Sequence, residues 1–420
     1  MADIDWPRWL RPGDRLVASH MSAEPAALLA SMAAFTAVPQ PLHLMLGVPF
    51  TDAAAALPDG CELTTYGGMG SAAAMAGLRP VRISPQPYGR SARVYEDGTW
   101  HCDVALVSLG RGLDGRLYLG PSHGAAMAAA RRARHVIAQV SDRVPFLPGA
   151  EWPPDLRLAA VLETGAGPPA LEVEHAPDEV EIAIGARVAG CVPEGACLQV
   201  GIGTLPSALL QALGHHRHLG VHTGMLTDAL HRLVRSGVAD GSRKTADRGI
   251  AVTGSLYGTR GLYEAVSRDP GPLALRPPGQ THDLAAIARI DDMACLNSAL
   301  EVDLLGNVNA EAVVDEQGRW RYVGGVGGLP DFVRGAIASG RGQSVIALAS
   351  RTARGRPRIV ARLAGPCTVA ASDADVVVTE HGVARLRDLP LHERVRRMVS
   401  LADPQDREAL EQDARRMGLT

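Results

Sequence analysis

The chain has 420 residues, 46% hydrophobic and 21% charged, which at about 150 residues per domain suits two or three globular domains. Its net charge of −3 excludes a broad basic surface for nucleic acid or an anionic membrane. Six scattered cysteines with no CxxC pair argue against a disulfide framework and against a structural metal.

From the N-terminus, MADIDWPRWLRPGD lacks the basic-then-apolar pattern of a secretory leader, and no run of about 18 apolar residues follows anywhere. A cytoplasmic location is expected. Strand-like runs ending in turns come next: DRLVASH (14–20), HCDVALVSLG (101–110), HVIAQV (135–140), CLQVGIG (197–203) and SVIALAS (344–350). Ala-rich helical stretches lie between them, such as SHGAAMAAARRAR (122–134) and PSALLQALG (206–214). This alternation predicts α/β architecture with mainly parallel sheets. A Pro-, Gly- and acid-rich stretch at 147–180 marks a boundary, giving expected domains of 1–175 and 176–420.

Three features carry chemistry. Gly201-Ile202-Gly203-Thr204, after a strand and before a helix, can aim backbone N–H groups at an anion or carbonyl, or can simply make a tight turn. Val323-Gly324-Gly325-Val326-Gly327-Gly328, followed by Arg334, can let a backbone approach a ligand. Arg334 then meets either a phosphate or an internal carboxylate. The stretch Asn297–Glu311 alternates polar and apolar residues like a strand, and Glu301 in it can serve acid–base chemistry or hold a loop. Lysine occurs once, at Lys244, so lysine chemistry has a single possible carrier.

With LGVHTGMLTDAL (219–230), YGTRGLYE (257–264), NSALEVDLLGNVNAE (297–311) and DADVVVTEHGVA (373–384), these features resemble the acetyl-CoA hydrolase/transferase family, which includes 4-hydroxybutyrate and butyrate:acetate CoA-transferases. The resemblance implies two tandem open α/β domains of the CoA-transferase type with an acyl-CoA site in the cleft between them. It also implies a homodimer or higher homo-oligomer. Coenzyme A enters as part of an acyl thioester substrate, alongside an acceptor, and no permanently bound cofactor, metal, nucleic acid or membrane partner is expected. Gly201, Gly203, Thr204, Gly325, Gly327, Gly328 and Arg334 are the expected contacts to that substrate.

The family's usual chemistry is ping-pong through a glutamate in a His-(Ser/Thr)-Glu-Met segment. The matching segment here is His222-Thr223-Gly224-Met225, so the resemblance places Gly224 at the nucleophile position. Other departures are Gly328-Leu329-Pro330 for Gly-Gly-Gln, and Val369-Ala370-Ala371-Ser372 where an arginine is usual. The expected chemistry is therefore acyl transfer to a non-CoA acceptor, or thioester cleavage, without a glutamyl-CoA intermediate. His222 and Asp228 are candidate bases; equally, His222 can be a structural strand-end histidine and Asp228 a helix cap. Two alternatives stand beside this reading. One is a conventional CoA-transferase whose glutamate is relocated, to Glu24, Glu301 or Glu380, or supplied by a partner. The other is a non-catalytic CoA-binding or assembly protein.

Overall fold

The structure is a computed structural model that describes residues 4–35, 37–112, 114–172 and 176–419. The chain folds as two compact units. One comprises residues 1–173, 224–228 and 252–281; the other comprises 174–223, 229–251 and 282–420. Segments 224–228 and 252–281 thus belong with the N-terminal part of the chain.

The first unit is built on strands β1 Arg15–Ala18, β2 Leu42–Gly47, β3 Cys61–Thr65, β4 Val81–Ile83, β5 Val104–Arg111, β6 Leu117–Leu119, β7 His135–Ser141 and β8 Ala160–Glu163. Their order is β4-β3-β2-β1-β5-β7-β8, all parallel, with β6 antiparallel on β5. Leu16 sits opposite both Leu44 and Val104, so β1 is central. Alternate residues of a strand share one face, which is why Leu42, Leu44 and Leu46 enter the same core with Leu16 and Leu63. Leu28, Leu29 and Met32 of the helix Ala26–Ala34 close that face. Each buried leucine stabilises the fold by about 1.5–3 kcal/mol through its removal from water.

In the second unit the corresponding strands are β9 Cys197–Val200, β10 Gly220–Thr223, β11 Met293–Ser298, β12 Gln343–Ala347, β13 Val376–Thr379 and β14 Gly382–Arg385. They run β10-β9-β11-β12-β13-β14, parallel except for β14. The chain leaves β9 toward β10 on one side and later returns as β11 on the other. Such a reversal leaves a crevice beyond the carboxyl ends of the two central strands, the usual ligand position in open α/β sheets. The expectation of mainly parallel α/β sheets holds.

One local detail differs from expectation. The alternating stretch 297–311 is not one strand: β11 stops at Ser298, and Glu301–Asp303 pairs separately with Val308–Asn309 and Ile359–Val360. Asp303 causes the second reversal, since its carboxylate accepts from the N–H groups of Leu305 and Asn307 at 3.0 and 2.9 Å. The helix after the boundary, Glu179–Ala189, starts at a capping box of Asp178 and Glu181. Among the described residues no helix is long and apolar enough to cross a membrane, and no group of three His, Cys, Asp or Glu side chains is placed to hold a metal ion.

Candidate active site

At the carboxyl end of β9 the turn Gly201-Ile202-Gly203 feeds the helix Thr204–Ala212. Gly203 sits at φ +119° and ψ −178°, a region open to glycine and strained for any other residue. The helix begins there, so its first N–H groups have no partner within the helix. Thr204 is turned inward: its hydroxyl donates to Glu181 of the preceding capping box. Beside the turn, the buried amides of Gln199 and Asn297 exchange two hydrogen bonds of 3.0 and 2.8 Å. A Cβ on Gly201 would come within 3.4 Å of Asn297 Oδ1. Sequence alone does not distinguish Asn297 from the rest of NSALEVDLLGNVNAE. Its signal is a polar amide at the end of the apolar run Met293–Leu296.

β10 delivers His222, 3% exposed, to the same edge of the sheet. Close by is His282, which the sequence reading missed. Its ring is buried and lies 4.8 Å from the Phe332 ring, inclined by 60°. Burial pushes its imidazole down to about 3, and the charge of His222 acts in the same direction. The glycine loop packs against it, because a Cβ on Gly328 would lie 2.5 Å from Cδ2 of His282. Gly325 and Gly327 occupy the half-exposed turn just before. Arg334, on the following helix Leu329–Ala338, donates from Nε to Asp373 at 2.9 Å, an internal pair with the guanidinium largely exposed.

The three carboxylates that can stand in for the family's glutamate have different surroundings. Glu24, in the first unit, accepts from Thr51 N at 2.9 Å, from Thr51 Oγ1 at 2.6 Å and from Phe50 N. Burial nevertheless outweighs those donors and raises its pKa. Glu380 accepts from Ser350 N at 2.9 Å and from Ser350 Oγ at 2.6 Å. Glu301 alone of the three has a buried oxygen, Oε2, with no hydrogen-bond donor. It faces Arg358, whose guanidinium donates to the carbonyls of Ala299 and Leu300 and bridges the break after β11.

In the first unit, Gly224 begins the short segment that follows β10. Leu226 donates to Ser255 O at 2.8 Å and accepts from Tyr257 N at 2.9 Å, so 224–228 runs beside 254–259. Asp228 is the first residue of the helix Asp228–Arg235. Its carboxylate accepts from Thr259 N at 2.9 Å and Thr259 Oγ1 at 2.7 Å. Both oxygens are therefore occupied in holding the start of the next helix, Arg260–Arg268.

The chain is similar to known proteins over most of its length. A family model of the acetyl-CoA hydrolase/transferase C-terminal domain matches residues 258–414. The 4-hydroxybutyrate coenzyme A transferase of Clostridium kluyveri is 33% identical over 313 residues, 73% of this chain and 71% of that protein. The chain belongs to the acetyl-CoA hydrolase/transferase family. The butyryl-CoA:acetate CoA-transferase of Anaerostipes caccae is 30% identical, with 80% of this chain and 75% of that one covered. A succinyl-CoA:acetate/propanoyl-CoA:succinate CoA transferase of Fasciola hepatica is 33% identical, and there the match spans only 62% of its length. RipA from Yersinia pestis superimposes with a TM-score of 0.89 at 29% identity, over 98% of this chain and 96% of RipA. A 4-hydroxybutyrate CoA-transferase from Porphyromonas gingivalis gives 0.80 at 29% identity, covering 98% and 95%. The family's C-terminal model takes in Glu301, the glycine loop and Glu380, whereas His222, Gly224 and the Gly201–Gly203 turn precede it.

Proposed function

We propose that this family member acts on acyl-CoA, or another acyl-pantetheine, without passing through a glutamyl-CoA intermediate. The observation that carries the reading is Gly224, in the segment where the family's pattern has its glutamate. A glycine cannot form the mixed anhydride, so the acceptor must attack the thioester carbonyl directly. His222 is the base in this reading. It takes the proton of the attacking water, alcohol or amine as the new bond forms. The carbonyl oxygen gains negative charge and is met by backbone N–H groups at the Gly201–Gly203 turn and helix start. The tetrahedral species collapses by breaking the carbon–sulfur bond, and CoA leaves as thiolate and takes up the proton. Asp228, within the first unit, holds the start of the helix Arg260–Arg268.

The test combines thiol release from butyryl-CoA with exchange of labelled butyrate into unlabelled butyryl-CoA. Thiol release without exchange, and no hydroxylamine-sensitive adduct on the protein, is expected. Rapid exchange with such an adduct overturns the reading. A second reading, a relocated glutamate, is favoured by the donor-free Oε2 of Glu301. It requires Glu301→Gln to abolish exchange. Butyryl-CoA binding with no turnover in any acceptor would make the chain a binding protein.

A further inference from the structure

One face of the first sheet is polar, where a parallel sheet is usually apolar on both sides. Leu16, Leu44, Leu63 and Val81 point into the core, so the residues that alternate with them point the other way. Register aligns those residues in two rows. Arg15 lies opposite His43, and His43 opposite Glu62; Val17, Met45, Thr64 and Arg82 form the second row. A cavity of about 300 Å³ lies on this face, lined also by Tyr95, Trp100 and His101. Its size falls at the lower end of the range for small-ligand pockets. Arg15, His43 and His101 stand at or near the amino ends of β1, β2 and β5, away from the carboxyl edge where His20 lies.

Asp103 ties two of these three groups together. It accepts from Arg15 N at 2.8 Å and lies 3.2 Å from His101 Nε2. The Arg15 guanidinium itself is exposed and has no ion pair or hydrogen bond among the described residues. Both nearby carboxylates are already engaged. Asp103 also faces Arg134 at 3.4 Å, and Glu62 meets His43 at 2.8 Å and Arg82 at 2.7 Å. Tyr95, on the short helix Arg93–Glu96, is 1% exposed and stands edge-on to Trp100 at 5.9 Å. Its hydroxyl makes no hydrogen bond among the described residues. Burial pushes its pKa up, so it stays a neutral donor. A buried hydroxyl without a partner is costly, and a ligand atom that accepts from it removes the cost.

We propose that this cavity binds a compound of the nucleoside monophosphate class, one phosphate joined to a planar ring. The free guanidinium of Arg15 and the imidazoles of His43 and His101 offer several donors to the oxygens of one phosphate. A bare phosphate leaves most of the 300 Å³ unfilled. The remainder is bounded by Trp100, Val17 and Met45, which suit the flat apolar faces of a ring. The Tyr95 hydroxyl then meets a polar atom of the ligand. This site depends neither on Gly224 nor on His222 as a base.

The test is calorimetric titration of the full chain with AMP and with UMP, and, for comparison, with adenosine and with inorganic phosphate. Saturable binding of at least one nucleotide at one site per chain is expected, with adenosine and inorganic phosphate about tenfold weaker or more. Saturating butyryl-CoA leaves that affinity within about twofold. Arg15→Gln, at an exposed and unpaired side chain, weakens nucleotide binding about tenfold or more, as the loss of bonds to a charged group does. Trp100→Leu weakens it about tenfold, and Tyr95→Phe, which removes only the hydroxyl, about threefold. If Trp100→Leu does not fold, Arg15→Gln and Tyr95→Phe carry the measurement. Absence of saturable nucleotide binding overturns the proposal, as does inorganic phosphate binding as tightly as AMP and UMP. Displacement of the nucleotide by butyryl-CoA overturns it too, since the nucleotide then occupies the thioester site. So do unchanged affinities in both Arg15→Gln and Tyr95→Phe. A dimer that Arg15→Gln dissociates, with no nucleotide bound, assigns the face to a second copy of the chain instead.

Discussion

The two units use the same strand logic and finish it differently. In each, the central first strand, β1 or β9, has its next strand on one side and a later one on the other. In the first unit, His20 follows β1 and is fully enclosed. It is hydrogen-bonded to Tyr88 at 2.7 Å, edge-on to the rings of Tyr66 and Tyr88, and backed by Gly47 and Gly124. Burial holds its pKa near 4. In the second unit, the edge carries an amide pair, an open glycine turn and a helix start. One scaffold thus closes one edge with aromatic rings and leaves backbone donors at the other. A shared topology positions a crevice, while the side chains at its rim decide whether it can do chemistry.

The largest expected effect separates the two edges. His222→Gln should lower butyryl-CoA turnover about 100- to 10,000-fold, the range for losing a general base. His20→Gln should leave turnover per folded molecule within threefold and lower thermal stability instead. Equal losses of turnover in both would break the contrast. Gly224→Glu sharpens it in the other direction. Exchange of labelled butyrate into butyryl-CoA and a hydroxylamine-sensitive adduct should appear where neither existed, and their absence means the surrounding groups no longer support glutamyl chemistry.

Core substitutions test whether the two sheets are built alike. Leu44→Ala and Leu296→Ala, both buried in central strands, should each cost about 2–5 kcal/mol in denaturant unfolding. The pH dependence should follow the buried histidines. His20 and His123 have pKa values near 4, and His282 near 3. An unfolded chain protonates its histidines from about pH 6.5 downward. Below that pH the unfolded state binds more protons, so stability falls toward pH 4, by at most about 1.4 kcal/mol per pH unit for each such group. His20→Gln should flatten that slope in pH-dependent melts; an unchanged slope would show that His20 does not supply it. The smallest effect belongs to Arg334→Ala, which removes an exposed pair worth about 1 kcal/mol or less. A large loss of butyryl-CoA affinity on that change would instead assign Arg334 to the substrate.

Much of the fold could be read from the chain. Strand runs such as DRLVASH and CLQVGIG lie on observed strands because buried parallel strands need continuous apolar runs. Asn297–Glu311 misled because Ala299 and Leu300 keep the alternation going while the backbone turns. Asp303 and Asn307, which drive the next reversal, also fit a strand's polar positions. Asn297 and His282 were missed for a related reason. Each gains its importance from a neighbour distant in sequence, Gln199 for one and Gly328 and Phe332 for the other.

By itself the sequence determined the alternating α/β pattern, the turn glycines and the glycine at position 224, since each depends on residue type and local spacing. Tertiary structure decided which side chains are free to act. Glu24, Glu380 and Asp228 look alike as acids in a string of letters. In the fold each is enclosed by N–H and hydroxyl donors, whereas Glu301 keeps one buried oxygen without a donor. A carboxylate's chemistry follows from its solvation and hydrogen bonds, and those are set by residues that only folding brings to its side.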